Sequence, residues 1–349
     1  MKERVSVGNN NLYNLCNLRG VSGDESAVRS YISDALKEQQ ITVKTDSTGN
    51  LYAFKKGLEG GDKKIMLCAH MDEVGFIITG ITDDGFLRFD TVGGIDERIL
   101  PGSRVLIGKN RVRGCIGLTP IHLLNAEERK KVTPVNELRI DIGAQDKKAA
   151  ESLVSPGDYC IFESDFIEFG DDLLKAKALD DRAGCHILMS LISKPLKYDT
   201  VFAFTVMEEI GLRGAFIAAK TVRPDVAIVV ECTTACDFTG IEEHMKICEL
   251  GKGTVISNSD GATIYNVELS SLAREIADKK GIKHQTKRMT LGGNDAGSIQ
   301  SAAGGCKVLA LSVPCRNIHT SSCCVAKKDI EYTQNLLEEL LNSEELKDL

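Results

Sequence analysis

Short apolar runs alternate with longer stretches of helical spacing over most of this chain. Lys64-Ile-Met-Leu-Cys-Ala69, Val201-Phe-Ala-Phe-Thr-Val-Met207 and Val226-Ala-Ile-Val-Val230 are nearly unbroken apolar segments. Runs of that length and composition predict buried strands. Ile41-Thr-Val-Lys44, Leu51-Tyr-Ala-Phe54 (after the turn residues Gly49-Asn50) and Lys307-Val-Leu-Ala-Leu-Ser-Val313 predict three more. Between them, residues 27–39 place Val28, Tyr31, Ile32, Ala35 and Leu36 on one helical face, and Ser22-Gly-Asp-Glu25 fits a capping box. Helices are also expected over 182–192, 212–220, 267–280 (closed by Gly281) and 329–341.

The texture changes between Gly75 and Glu163. The pieces there are short and strand-like, as in Gly75-Phe-Ile-Ile-Thr, Phe86-Leu-Arg-Phe, Arg104-Val-Leu-Ile, Arg111-Val-Arg, Leu138-Arg-Ile-Asp-Ile and Tyr159-Cys-Ile-Phe. Glycines and charges punctuate them, which predicts a small β unit, barrel or sandwich. The α/β pattern resumes near Lys175. An α/β domain split by a β-rich insertion is the expected architecture, with a continuous single domain as the plainer alternative.

Each of the three buried runs stops at a polar residue of metal-ligand type. The first ends at His70, with Asp72 two residues on; the second at Glu208-Glu209; the third at Glu231. Ligand crevices of open α/β sheets lie beyond the carboxyl ends of the strands. In an extended segment His70 and Asp72 share a side, and a metal-bound histidine commonly gives its second nitrogen to a carboxylate. The alternative is a structural histidine beside a surface acid. Adjacent Glu208 and Glu209 after an apolar run would repel and lose hydration unless a cation absorbed the charge. Solvated strand ends are the alternative for Glu208, Glu209 and Glu231. In Asp180-Asp181-Arg182 one acid has two oxygens to share between cations, while the other suits a helix cap. His319 follows the last strand in Pro314-Cys-Arg-Asn-Ile-His319-Thr. Two histidines and at least three carboxylates suit two cations such as zinc, cobalt or manganese.

Composition narrows the picture. The 349 residues leave room for about two domains at ~150 residues each. With a net charge of -7, nothing in the sequence resembles a basic nucleic-acid surface. No apolar run approaches the ~20 residues of a membrane span. The amino-terminal Met1-Lys-Glu-Arg-Val-Ser-Val7 lacks a signal-peptide core, so a cytoplasmic protein is expected. The 12 cysteines lack the spacing of a disulfide scaffold, and no second pair completes a zinc site with Cys232 and Cys236, so reduced buried thiols are expected. Gly292-Gly-Asn-Asp-Ala-Gly297 lacks the Lys-Ser/Thr ending of a P-loop, and there is no Gly-x-Ser-x-Gly elbow. Paired carboxylates would also serve a glycoside hydrolase. Against that stand no Trp and only 5% aromatic residues, too few platforms for sugar rings.

The order of motifs resembles that of the tetrahedral aminopeptidases, which include glutamyl, leucyl and lysyl enzymes. The resemblance runs nearly end to end. It rests on Val21-Ser-Gly-Asp-Glu-Ser, Ala69-His-Met-Asp-Glu-Val-Gly-Phe, Asp141-Ile-Gly-Ala, Ala178-Leu-Asp-Asp-Arg, Glu208-Glu-Ile-Gly-Leu-Arg-Gly-Ala, the Gly-Gly-Asn-Asp-Ala-Gly loop and Arg316-Asn-Ile-His-Thr. It implies a mixed-sheet peptidase domain with helices on both faces, formed by residues 1–73 and 165–349. A small β-barrel-like dimerisation domain at 74–164 would interrupt it. It also implies that His70, Asp180 and Glu231 hold one divalent cation, and Asp180, Glu209 and His319 a second. Glu208 would be the general base and Asp72 would orient His70. The activity implied is removal of amino-terminal residues from short peptides by a metal-activated water, in homo-oligomers built from dimers up to tetrahedral dodecamers. Two positions depart from the common motif, where relatives carry Asp at 231 and Thr at 294.

Overall fold

The computed structural model describes residues 11–59 and 63–349; the stretch Met1–Val7 used above lies outside them. In chain order the first elements are α1 (Asn11–Asn17), α2 (Ser26–Glu38), β1 (Val43–Thr45), β2 (Leu51–Lys55) and β3 (Ile65–His70). There follow β4 (Gly75–Ile81), β5 (Leu87–Val92), β6 (Arg104–Ile107), β7 (Val112–Gly117), β8 (Arg139–Asp141), α3 (Lys147–Glu151) and β9 (Tyr159–Phe162). Next come β10 (Ile167–Phe169), β11 (Leu173–Ala176), α4 (Leu179–Leu191), β12 (Thr200–Thr205), α5 (Arg213–Val222) and β13 (Val226–Thr234). The chain closes with β14 (Thr254–Ile256), α6 (Val267–Lys280), β15 (His284–Thr286), α7 (Asp295–Ser301), β16 (Lys307–Cys315), β17 (Cys323–Ala326) and α8 (Lys327–Leu341).

The main sheet has the order β1-β2-β12-β3-β13-β16-β14-β15. Its centre, β12-β3-β13-β16, is parallel, while β2 and β14 join it antiparallel, so the sheet is mixed. Side-chain alternation sorts the two faces. Ile65, Leu67 and Ala69 of β3 enter a large core with α1, α2, α4, α6 and α8. Met66 and Cys68 face a smaller, alanine-rich core with α5 and α7. Burial on both sides is why these strands read as continuous apolar runs. A separate three-stranded sheet, β10-β11-β17, flanks this layer.

Strands β4-β5-β8-β7-β6-β9 close into a barrel. Phe76 sits at its centre, edge-on to Phe89 at 5.4 Å and to Phe162 at 5.0 Å between ring centroids. Such pairs add about 0.5–1.5 kcal/mol each beyond their buried area. Closure leaves these short strands without an open edge.

Two local expectations need correction. Ser22 and Glu25 do not form a capping box: the Ser22 hydroxyl donates to Asp72 and Glu25 Oε1 accepts from the Gly23 and Met207 amides. A long-range partner has displaced the local one. The third strand does not stop with its apolar run at Glu231, because β13 continues to Thr234 in register with β16. Cys232 packs into the large core, so the strand pattern extends past the acid.

Helix α4 carries His186, whose Nδ1 is sealed from solvent without a hydrogen-bond partner. Burial lowers its pKa from 6.5 to about 4. The folded state therefore holds the neutral ring, so its contribution to stability is intact above pH 6.5 and is lost as pH falls toward 4. Up to about 3 kcal/mol is at stake. His186→Phe is expected to flatten the loss of stability between pH 6.5 and 4 in denaturant titrations. An unchanged slope would refute the assignment.

Candidate metal centre

Parallel neighbours β3 and β12 end together, with His70 in register with Thr205. Beyond β12 the chain turns at Met207, a non-glycine residue at φ 55. The turn sets the amides of Glu208 and Glu209 against Asp72, whose Oδ1 accepts from Glu208 at 3.0 Å and whose Oδ2 accepts from Glu209 at 3.1 Å. Ser22 Oγ donates to the same carboxylate at 2.6 Å. Asp72 is fully buried and, despite burial, its pKa falls because His70, Ser22 and the Glu208 amide all favour the anion. Left-handed conformations at Ala178, Met207, Leu212, Asn317 and His319 flank the centre. Each costs on the order of 1–2 kcal/mol, so the surrounding packing must hold the loops in place.

The opposing segment comes from the start of α4. Asp180 and Asp181 depart from helical geometry, and the peptide bond between them is cis. Asp180 Oδ1 lies 3.4 Å from His70 Nε2, and its Oδ2 lies 3.5 Å from His319 Nε2. One carboxylate thus offers a separate oxygen to each histidine. His319 Nε2 is also 3.1 Å from Glu209 Oε2. Asp181 turns away: Oδ1 accepts from the Gly184 amide at 2.9 Å and Oδ2 from the His70 amide at 3.2 Å. It caps the helix, the alternative role the Asp-Asp pair suggested.

Both histidines have their second nitrogen engaged. His319 Nδ1–H donates to the Gly94 carbonyl at 2.7 Å, a carbonyl supplied by the loop after barrel strand β5. His70 Nδ1 lies 3.1 Å from the Asp72 carbonyl and 3.5 Å from its carboxylate. A carbonyl can only accept, so Nδ1 carries a proton and Nε2 is the nitrogen turned toward the carboxylates of the centre. With a cation in place of the proton on Nε2, that is the tautomer a metal-binding histidine needs.

A further set of groups escaped the sequence reading. Glu73 accepts from Lys177 Nζ at 2.8 and 2.9 Å and from Arg182 at 3.1 Å, all buried. Arg182 also donates to the Met71 carbonyl at 3.0 Å. This cluster ties the His70–Asp72 segment to the Asp180 segment. Breaking a buried pair of this kind costs about 3–5 kcal/mol. The acid and base were visible in Met-Asp-Glu73 and Asp-Asp-Arg182, but their pairing spans 109 residues. Asp295 is another: its Oδ2 accepts from Thr205 Oγ1 at 2.6 Å beneath the centre, while Oδ1 is buried without a partner.

Glu231 enters from β13 and lines the same cavity, of about 440 Å³, with His70, Asp180, Glu208, Glu209 and His319. Its Oε1 accepts from Asn294 Nδ2 at 2.5 Å and from Ser312 Oγ at 3.4 Å. The two residues that depart from the common motif therefore touch. The longer acid at 231 has an amide donor at 294 to hold it, and Asn294 is itself fixed against Tyr265 at 2.8 Å. Glu231 makes no ion pair with either histidine.

The charges in this cavity call for a cation. Burial, and then the neighbouring acids, hold Glu208 well above the usual carboxylate range. Burial and the charge of Asp180 do the same to Glu231. Burial also raises Glu209, against the pull of His319. Burial opposes the charged form of His319, but hydrogen bonds to Asp180 and Glu209 prevail and push it up to about 11. Glu209 Oε1 is buried with no hydrogen-bond partner. Oxygen and imidazole donors from His70, Asp180 and Glu209 lie within 4.8 Å of one another. An orphaned oxygen, clustered anions and Nε2 atoms aimed at carboxylates fit divalent cations bound by hard and borderline donors. Asp180, Asp181 and Cys232 form a second close group. There a hydrogen bond with Cys315 lowers the Cys232 pKa, but burial together with the charges of Asp180 and Asp181 outweighs it and holds the thiol up to about 12. Among the described residues, none lining the cavity is Phe, Tyr or Trp, the usual stacking platforms for a sugar.

Residues 49–336 match the family model described as M42 glutamyl aminopeptidase. The chain is 38% identical over 324 residues to a putative aminopeptidase of Acetivibrio thermocellus, covering 92% of this chain and 94% of that protein. Its fold is similar to an aminopeptidase of the archaeon Desulfurococcus kamchatkensis, with TM-score 0.90, 32% identity and coverage of 95% and 93%. It is also similar to a Pyrococcus horikoshii TET1 peptidase described as assembling into a tetrahedron or a large octahedral shell, with TM-score 0.83, 36% identity and coverage of 95% and 98%.

Proposed function

The chain belongs to the M42 glutamyl aminopeptidase family and is a metal-dependent aminopeptidase, and from that premise we propose how its residues divide the work. The observation that carries the proposal is Asp180, whose two oxygens each face a different histidine. Asp180 would bridge two divalent cations, zinc or cobalt by preference with manganese as a third choice. His70 and Glu231 would complete one set of ligands, Glu209 and His319 the other. When bound, the two cations supply Lewis acidity and neutralise the clustered carboxylates.

Glu208 would take the proton from the attacking water and deliver it to the leaving amine. Its carboxylate lines the cavity and its main chain is fixed by Asp72. Asp72 would act as a positioning residue for Glu208, Glu209 and His70 together. Acidic groups around the cavity would receive the free α-amino group of a short peptide.

Assembly as a homo-oligomer, with the barrel region 74–164 making dimer contacts, is part of the same proposal, and light scattering tests it. None of the helices among the described residues is long and apolar enough to cross a membrane. The unpaired thiols support a reducing, cytoplasmic setting.

Treatment with a chelator is expected to abolish hydrolysis of aminoacyl anilides, and zinc, cobalt or manganese to restore it. An N-acetylated anilide should not be cleaved. Activity that survives complete metal removal, or hydrolysis of cellulose-derived oligosaccharides in its place, would defeat this reading.

A further inference from the structure

The turn that carries Glu208 and Glu209 is held from outside the cavity. Four consecutive amides there donate to buried side-chain oxygens. Val206 donates to Asn50 Oδ1 at 3.1 Å and Met207 to Glu25 Oε1 at 3.2 Å, while Glu208 and Glu209 take the two oxygens of Asp72 at 3.0 and 3.1 Å. Asn50, Glu25 and Asp72 come from three separate segments, and all are buried. Asp72 also meets His70, and Asn50 also donates to the Gly214 carbonyl at 3.0 Å and to Asp46 at 2.9 Å. Glu25 is the member that neither the centre nor the local packing explains.

Its position in the chain sharpens the point. Glu25 occupies the N-cap position of α2, yet its side chain makes no bond to the amides of that helix. Short acceptors suit such a position, because the cap oxygen must fold back onto the second or third helical amide. The Glu25 carboxylate turns away instead. The Gly23 amide holds its Oε1 at 2.7 Å, and the same oxygen takes the Met207 amide from 182 residues further along. A forgone helix cap and a buried carboxylate are both unfavourable. Places where a local preference is overridden in this way mark a demand made by function. The same short segment supports Asp72 through the Ser22 hydroxyl at 2.6 Å, and Val21 bridges Glu73 alongside it.

The demand lies at Met207, whose left-handed φ of 55 is a conformation that a non-glycine residue leaves when free to do so. The bond to Glu25 fixes the peptide plane entering Met207, and the bonds to Asp72 fix the planes that follow it. Together they direct Glu208 and Glu209 into the cavity. We propose that Glu25 is a positioning residue for catalysis, acting through its reach to the Met207 amide to hold Glu208 and Glu209 in their working orientation. This deepens the reading of the centre given above and rests on the roles assigned there to those two residues.

The test separates reach from charge. Glu25→Gln keeps an acceptor oxygen at the same reach and loses the charge. Glu25→Asp keeps the charge, withdraws it by one methylene and brings a side chain well suited to cap α2. Glu25→Ala removes both. Each is compared with wild type by thermal melts, by cobalt titration followed in the visible absorption spectrum, and by kcat and KM on the aminoacyl p-nitroanilide that wild type cleaves fastest. We expect Glu25→Asp to melt close to wild type, since the cap it gains offsets the bond it loses. Its kcat should nevertheless fall about 10- to 100-fold with KM nearly unchanged, as for a small misplacement of reacting groups. One of two cobalt ions, the one held by Glu209, should bind about 10- to 100-fold more weakly. Glu25→Ala should show the same losses with a lower melting temperature, and Glu25→Gln should keep the kcat and both cobalt affinities of wild type. If Glu25→Ala does not fold, the other two variants decide. Wild-type kcat and cobalt binding in Glu25→Asp would overturn the proposal, and so would a Glu25→Gln that falls as far as Glu25→Asp. A Glu25→Asp that does not fold would make Glu25 a residue of the fold alone and overturn it too. A wild-type protein that binds fewer than two cobalt ions or cleaves no aminoacyl substrate would instead bring down the reading of the centre beneath it.

Discussion

Glu208→Gln is expected to lower kcat by about 10²- to 10⁴-fold, the usual contribution of a positioned general base. The bound metal content should not change. The substitution keeps the shape of the side chain and removes only its ability to accept a proton. The main chain at 208 has its own anchor, the Asp72 carboxylate at 3.0 Å, and the turn is set by the left-handed Met207 before it. The Gly211 and Leu212 amides both donate to the Glu208 carbonyl at 2.9 Å. None of these contacts uses the Glu208 carboxylate, so the variant should fold and load metal as the wild type does. A loss in kcat with little change in KM would mark an interaction made in the transition state. Activity within about tenfold of wild type at full metal occupancy would remove Glu208 from the base role.

Much of this arrangement was legible because period and position carry it. The three apolar runs marked β3, β12 and β13, and the polar residue that ended each one proved to line a single cavity. The change of texture after Gly75 marked strands that close into a barrel. What the pattern missed depends on contacts across long stretches of chain. Ser22 looked like a helix cap because the local motif was complete, yet its hydroxyl serves Asp72, 50 residues away. Lys177 and Arg182 have no local pattern that marks them as buried, yet both are buried against Glu73. Asp181 and Asp180 are indistinguishable in sequence; only the backbone geometry sends one to the helix amide and the other to the histidines.

Asp180→Ala is expected to lose both metals at once, and this separates a bridging ligand from an ordinary one. Its two oxygens stand 3.4 Å from His70 Nε2 and 3.5 Å from His319 Nε2, so one truncation withdraws a donor from each half of the centre. Without it, the proposed ligand sets would keep only His70 and Glu231 on one side and Glu209 and His319 on the other. Two protein ligands per cation fall short of the three typical of a catalytic site. Elemental analysis should find about two metals per chain in wild type and near none in Asp180→Ala. His319→Ala should keep about one, because the His70 side retains all three of its donors. Loss of the Lewis acid removes several kcal/mol of transition-state stabilisation, so activity should fall by about 10³-fold or more. The fold should survive, since α4 is capped by Asp181 and anchored by Arg182 rather than by Asp180. One metal retained in Asp180→Ala with only a modest loss of rate would make Asp180 a ligand of a single ion. The two histidines would then have to be assigned to separate sites that share no acid.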